Sequence, residues 1–434
     1  MNAPERLGAL EARRALAAGR LTVVALVEAC LERIARRNGT VAAWAFLDPG
    51  AARARARALD AGPERGLLHG LPIGVKDILD TAEMPAGYGS EIYTGHRPGR
   101  DAAAAASALA AGAVLLGKTV TTEFANRRAG PTRNPHDPTR TPGGSSSGSA
   151  AAVADFQAPL AIGTQTGGSV IRPAAYCGVV GFKPSFQHIG NGGVRANTEA
   201  FDTVGLMARC VEDIALLRAA CMEIPFAAPE PDAVQAPRLA LVRTPWWAAV
   251  NEAGRAALDD AARTLSRAGA RVVELELPPD VAELCAAHGA ICTFEASRNY
   301  ADELARAGHL VSAEFRTGRI AAGEAVPLTA FHAAHRRLVA GRARFEAWLA
   351  RHALDGLLTP PAPGEAPPGL AETGPATFNS LWTALHMPCV TLPFGAGPGG
   401  VPTGVQVVAR RHEDAALLHL AAWAERILGR ACAA

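Results

Sequence analysis

Twice in this chain a helical stretch runs into a single glycine and then into a short strand-like run. An Ala-rich segment from about Asp101 to Ala111 meets Gly112 and the run Ala113-Val114-Leu115-Leu116, and a segment from Glu252 to Arg267 meets Gly269 and the run Arg271 to Leu277. Glycine at that point accepts the left-handed conformation that closes a helix, and the chain re-enters as a strand. Helix, glycine, strand predicts an α/β sheet protein. Four further runs, Leu239 to Val242, Gly356 to Leu358, Cys389 to Pro393 and Gly404 to Val408, read as strands. Many of these candidates are too short and apolar to keep one face in water, so helices are expected on both faces of the sheet.

From Thr22 to Arg37 apolar residues recur at three- and four-residue steps, which predicts an amphipathic helix capped by Thr22 and stopped by Asn38-Gly39. Pro225 to Pro237 and Pro360 to Pro368 read as loops. The strands after the first loop need partners before it, so residues 1–434 are expected to form one domain. With 49% hydrophobic and 19% charged residues, the chain can bury a large core and is too apolar for disorder. A net charge of +2, with both signs interspersed, offers no basic stripe for nucleic acid and no surface for membrane. The opening MNAPERLGALEARR is charged where a secretory leader needs an apolar run, and no stretch of about 18 apolar residues follows, so a cytoplasmic location is expected. Eight scattered cysteines form no C-x-x-C pair or zinc spacing and are expected to be buried free thiols; no metal is expected.

Of 43 Lys+Arg residues only Lys76, Lys118 and Lys183 are lysine. A guanidinium cannot serve as a base near neutral pH, whereas a buried amine can, which makes each lysine worth separate attention. Lys76 lies in Leu71-Pro72-Ile73-Gly74-Val75-Lys76-Asp77-Ile78-Leu79, apolar surroundings that would lower its pKa unless its head reaches water or Asp77. Two serine-bearing glycine turns follow. Thr141 to Ala150 (TPGGSSSGSA) runs into a helical pattern and lacks the Gly-Lys-Ser/Thr ending of a P-loop, so it reads as a linker, or as an anion-binding turn at a helix start. Gly163 to Pro173 (GTQTGGSVIRP) follows the run Pro159 to Ile162 and reads either as a plain tight turn or as one that sets Ser169 after two glycines with its Oγ accessible and the preceding N–H groups converging on an oxyanion.

A lysine in a GVKD strand, a GGSS loop and a GGS turn, in this order, resemble the amidase-signature family. The resemblance is strong from about residue 71 to 213 and looser as far as Val408. It implies that family's fold, a large mixed β-sheet covered by α-helices on both faces. It also implies a relay in which Ser169 is the nucleophile, Ser145 the bridging serine, often preceded by a cis peptide, and Lys76 the base; Ser146 and Ser147 are near misses. The oxyanion hole would be the backbone N–H groups of Thr166, Gly167, Gly168 and Ser169, and no cofactor is required.

Within the family the phrases GSEIY, NPH, PGGSSSGSAAAV, GTQTGGSVIRPAAYCG and KPSF look most similar to the malonamidase branch. Gln165 stands where many relatives have Asp, and Arg172 comes three residues after Ser169, from where a forked guanidinium could grip a substrate carboxylate. The bland alternative for Arg172 is an ion pair that braces the turn. The expected reaction is hydrolysis of a small carboxylate-bearing, malonamate-like amide. Alternatives are an amidase for another aryl or alkyl amide, or an A-type amidotransferase subunit. A small-molecule amide is the expected partner, and relatives suggest a possible homodimer.

Overall fold

The structure, a computed structural model, describes residues 3–429. Among these residues eleven strands join one sheet: β1 Trp44–Leu47, β2 Pro72–Lys76, β3 Val114–Thr119, β4 Leu160–Gln165, β5 Val180–Lys183, β6 Thr203–Ala208, β7 Arg238–Leu241, β8 Arg271–Glu274, β9 Gly356–Thr359, β10 Cys389–Ala396 and β11 Pro402–Val408. Their order is β1-β3-β2-β4-β6-β5-β10-β11-β9-β7-β8. β2 runs parallel to both β3 and β4, and β7 parallel to β8 and β9, while the remaining neighbours are antiparallel. The sheet is therefore large and mixed.

Strand residues alternate between clusters on opposite faces. Leu160 and Ile162 join one core cluster and Ala161 another; Leu239 and Leu241 join the first and Ala240 a third. The first cluster is closed by Leu258, Ala261 and Leu265 of the helix Glu252–Arg267 and by Leu417 and Ala421 of the helix Asp414–Ile427. On the opposite face lie the helices Val23–Val41, Val281–Asn299 and Leu328–His352. With both faces covered, strands need no polar alternation, which is why the runs read so uniformly apolar.

Thr22 caps its helix as expected, its side chain accepting from the Ala25 N–H. The helix does not stop at Asn38-Gly39. It continues to Val41, which is fully buried, and turns at Ala42 in the left-handed region. Burying a valine contributes about 1.5 kcal/mol or more, enough to offset the roughly 1 kcal/mol that glycine costs within a helix. Asn38 then closes the end by accepting from the Ala43 N–H.

Candidate active site

Lys76 ends β2, and Thr164 and Gln165 end its parallel neighbour β4, so the site lies at the carboxyl ends of adjacent strands, the usual ligand position in such sheets. The Lys76 side chain is fully buried and donates to Ser145 Oγ at 2.8 Å and to Thr164 Oγ1 at 2.8 Å. Burial pulls its pKa down to about 7, with Asp202 opposing and Arg172 assisting. Asp77, one residue on, is turned away and pairs with Lys118 at 3.1 Å. The amine is thus free of any carboxylate in contact and faces only neutral acceptors.

Ser145 follows a cis peptide from Gly144. Its neighbours brace the loop: Ser146 Oγ donates to Thr164 O, and Ser147 Oγ to Gly143 O. The helix start is no open anion site, because Ser146 N–H donates to Ser169 O and Gly148 N–H to Val120 O. Those bonds tie together the two serine-bearing turns that the sequence presents separately.

Ser169 lies in the turn between β4 and the helix Ile171–Cys177. Gln165 builds this turn. Its Oε1 accepts from the N–H groups of Val170 and Ile171, at 2.9 and 3.1 Å, and its Nε2 donates to Thr383 Oγ1. An amide in place of a carboxylate supplies the acceptor for the helix start and keeps a donor for Thr383. Each carbonyl of the turn is held: Thr166 O by His288 Nε2 at 2.9 Å, Gly167 O by Thr383 Oγ1 at 2.8 Å, and Gly168 O by Arg172 N–H at 3.0 Å. Among the described residues no protein group accepts from the N–H groups of Thr166, Gly167, Gly168 or Ser169. Nor, among them, does a hydrogen bond join Ser145 Oγ to Ser169 Oγ.

The turn forms one wall of a cavity of about 500 Å³, lined also by Arg172, Arg127, Arg319 and His288. Neither Lys76 nor Ser145 lines this cavity; the Ser145 loop is tied to the turn by the Ser146 N–H to Ser169 O bond. Arg172 is buried, and its Nη2 donates to Gly144 O at 2.5 Å and Thr373 Oγ1 at 3.4 Å, while its Nε has no partner. Burial lowers its pKa to about 10. No carboxylate among the described residues pairs with it, so the bracing ion pair of the bland alternative is not formed; the brace is a hydrogen bond to the Gly144 carbonyl.

His288 and Cys292, one turn apart on the helix Val281–Asn299, and Arg319 are cavity residues that sequence reasoning passed over. The four-residue spacing of a histidine and a cysteine was the available signal. Sγ of Cys292 lies 3.5 Å from His288 Nε2. Burial opposes both charged forms, yet each partner favours the other's, so His288 is shifted up and Cys292 down. Of the cysteines, Cys30, Cys177, Cys221, Cys292 and Cys389 are buried free thiols as expected, and Cys285 is free but half-buried. Cys210 corrects that expectation, being disulfide-bonded, and Cys432 lies outside the described residues. Among the described residues no helix is long and apolar enough to cross a membrane.

A family model described as Amidase matches residues 25–418. The A-type subunit of the glutamyl-tRNA(Gln) amidotransferase of Chloroflexus aurantiacus is 46% identical over 216 residues, 48% of this chain and 44% of that protein. The chain thus spans less than half of that relative's length in the match. The crystal structure of an amidase superposes with a TM-score of 0.88 at 31% identity, covering 98% of this chain and all (100%) of the other. A peptide amidase from Stenotrophomonas maltophilia superposes with a TM-score of 0.82 at 29% identity, over 97% and 96% of the two chains.

Proposed function

The chain belongs to the amidase family, hydrolases of amide C–N bonds, and from that premise we propose that it cleaves a small, carboxylate-bearing amide, of the malonamate kind, to acid and ammonia by way of an acyl-enzyme on Ser169. The observation that carries the reading is the buried Lys76 amine, near neutrality and 2.8 Å from Ser145 Oγ, whose loop is tied to the turn of a serine that lines the cavity. Ser169 Oγ attacks the carbonyl carbon; its proton passes to Ser145, whose own proton passes to Lys76. The oxyanion takes hydrogen bonds from the free N–H groups of residues 166–169. Collapse breaks the C–N bond as the relay returns the proton to the leaving nitrogen, and water then releases the acid by the same route. The Ser145–Ser169 bond closes when substrate displaces solvent from the turn, as catalytic hydrogen bonds commonly do.

Arg172 supports the acidic substrate: its side chain lines the cavity, and no carboxylate among the described residues pairs with it. The similarity to a malonamidase belongs to the same proposal, since the relatives named above are an amidotransferase component and amidases of other kinds. A panel of short amides with and without a distal carboxylate, scored by ammonia release, tests it. Expected is turnover by the purified chain alone, preference for the acidic members, and no turnover by Ser169→Ala. Strong residual turnover by that variant, folded, would remove Ser169 as nucleophile.

The identity to an amidotransferase component favours a second reading, in which released ammonia is passed to another site within a complex. The interspersed charges and net +2 weigh against a tRNA-binding surface. If the chain releases ammonia only in the presence of partner proteins, the second reading replaces the first.

A further inference from the structure

The Gly167-Gly168 pair has no side chain to hold its peptides, and glycine rotates freely where other residues do not. A hole made from such peptides works only if something fixes their orientation, because donors must be set before charge develops. In a planar trans peptide the C=O and the following N–H point in opposite directions. Whatever holds a carbonyl of the turn therefore also fixes the direction of the next N–H, opposite to it. Gly168 O is held by the backbone of the following helix and Gly167 O by Thr383. Thr166 O is held by His288.

We propose that His288 is a positioning residue for the reaction: by donating Nε2–H to Thr166 O it locks the Thr166–Gly167 peptide with the Gly167 N–H facing the cavity. This rests on the reading of residues 166–169 as the oxyanion hole. A carbonyl oxygen only accepts, so Nε2 carries a proton whether the ring is neutral or charged. The imidazole is in turn fixed. It is buried, packs against the Phe201 ring with centroids 4.4 Å apart, and has Cys292 Sγ 3.5 Å from Nε2. The helix that carries it packs against the helices Leu328–His352 and Thr377–Ala384, the latter carrying Thr383. Two packed helices thus clamp the two glycine-flanking carbonyls.

The test compares His288→Ala and His288→Gln with Ser169→Ala and the native enzyme. Losing a whole oxyanion donor costs about a hundredfold or more, so loosening one is expected to lower kcat by roughly tenfold to a hundredfold, with KM nearly unchanged. Binding of a short-chain aldehyde, whose adduct on Ser169 puts an oxyanion in the hole, should weaken in parallel, while binding of the product acid should not. Gln places an amide donor at a similar reach and should restore most of the rate. Should the Ala variant not fold, His288→Met fills the volume without a donor and takes its place. Native kcat in a folded donor-less variant, or an equal fall in kcat and product affinity that Gln does not restore, would overturn the proposal. Full activity in Ser169→Ala would instead remove the reading on which it rests, and the two failures are told apart by that control.

Discussion

Burial favours the neutral form of Lys76 by the work of keeping a charge out of water, and that work sets both its chemistry and a stability cost. With a pKa near 7, it takes a proton only when neutral, so kcat/KM should fall as pH drops below about 7, and Lys76→Arg should be as inactive as Lys76→Ala, because a guanidinium keeps its proton. A pH-rate profile and the two variants check this; near-native activity in the Arg variant would show that only the charge matters. The stability consequence has a definite sign. An amine whose pKa is lowered on folding binds more protons in the unfolded chain, so native stability declines as pH falls from about 10.5 to 7 and this contribution is flat below 7. Lys76→Met has no such dependence, so its stability should gain on the native protein across that window, by on the order of 4 kcal/mol, in denaturant midpoints at matched pH. Arg172 serves two ends of the site at once. Arg172→Ala removes the donor to Gly144 O and should slow all amides, but if it also grips substrate, acidic amides should lose a further thirtyfold or so, equivalent to about 2 kcal/mol. Equal losses for acidic and neutral amides, with a lowered Tm, would leave it as a brace alone. That Lys76 and the two serine-bearing glycine turns would meet was legible only through the family resemblance that joins the three pieces, since each taken alone has an ordinary structural reading. His288, Cys292 and Arg319 were not, because they reach the cavity from elements more than a hundred residues beyond Ser169.

At the scale of elements, the helix Ser147–Ala154 carries the strictest steric condition. A Cβ on Gly148 would sit 2.1 Å from Ala43 O and 2.3 Å from Val120 N, which are backbone atoms that pair with each other at the junction of β1 and β3. A flexible side chain could move aside there, but a strand end cannot. Gly148→Ala should therefore push the helix start, with Ser145 just ahead of it, away from Lys76. The expected outcome is a loss of about 1–3 kcal/mol of stability, as for overpacked cores, together with a fall in kcat. Unchanged activity and Tm would mean that the loop absorbs the methyl group without moving Ser145. The helix Glu252–Arg267 was legible from the helix, glycine, strand order, although its strand ends at Glu274 rather than Leu277. β1, β5 and β6 went unread: the first two have four residues each, and β6 has no polar alternation to set it apart from a buried helix segment. The strand order was equally out of reach, since β4 to β6 and β5 to β10 are pairings between distant segments, decided by packing.

For the whole molecule, the distribution of cations carries a prediction of its own. All three lysines are fully buried, so every exposed side-chain cation is an arginine or a histidine. Each amine is tied inside: Lys76 to Ser145 and Thr164, Lys118 to Leu79 O and Asp77, and Lys183 to Pro184 O. Burial lowers the pKa of all three, which raises the intrinsic reactivity of a free amine. Reactivity without access is idle, however, and the fold buries each amine. An acylating or reductively methylating reagent should therefore leave the three lysines of the native chain unmodified, and modify all of them once the chain is unfolded in denaturant. Counting labels by mass before and after unfolding makes the comparison direct. The order in which labels appear as denaturant rises is informative too. Lys76 is held by neutral acceptors next to the Ser145 and Ser169 loops, whereas Lys118 is locked by an ion pair, so local opening there should expose Lys76 first. Acylation of Lys76 under native conditions, with loss of amidase activity and protection by substrate, would show that the turn opens far enough to admit the reagent. Early labelling of Lys118 or Lys183 instead would contradict the burial of those amines in the sheet.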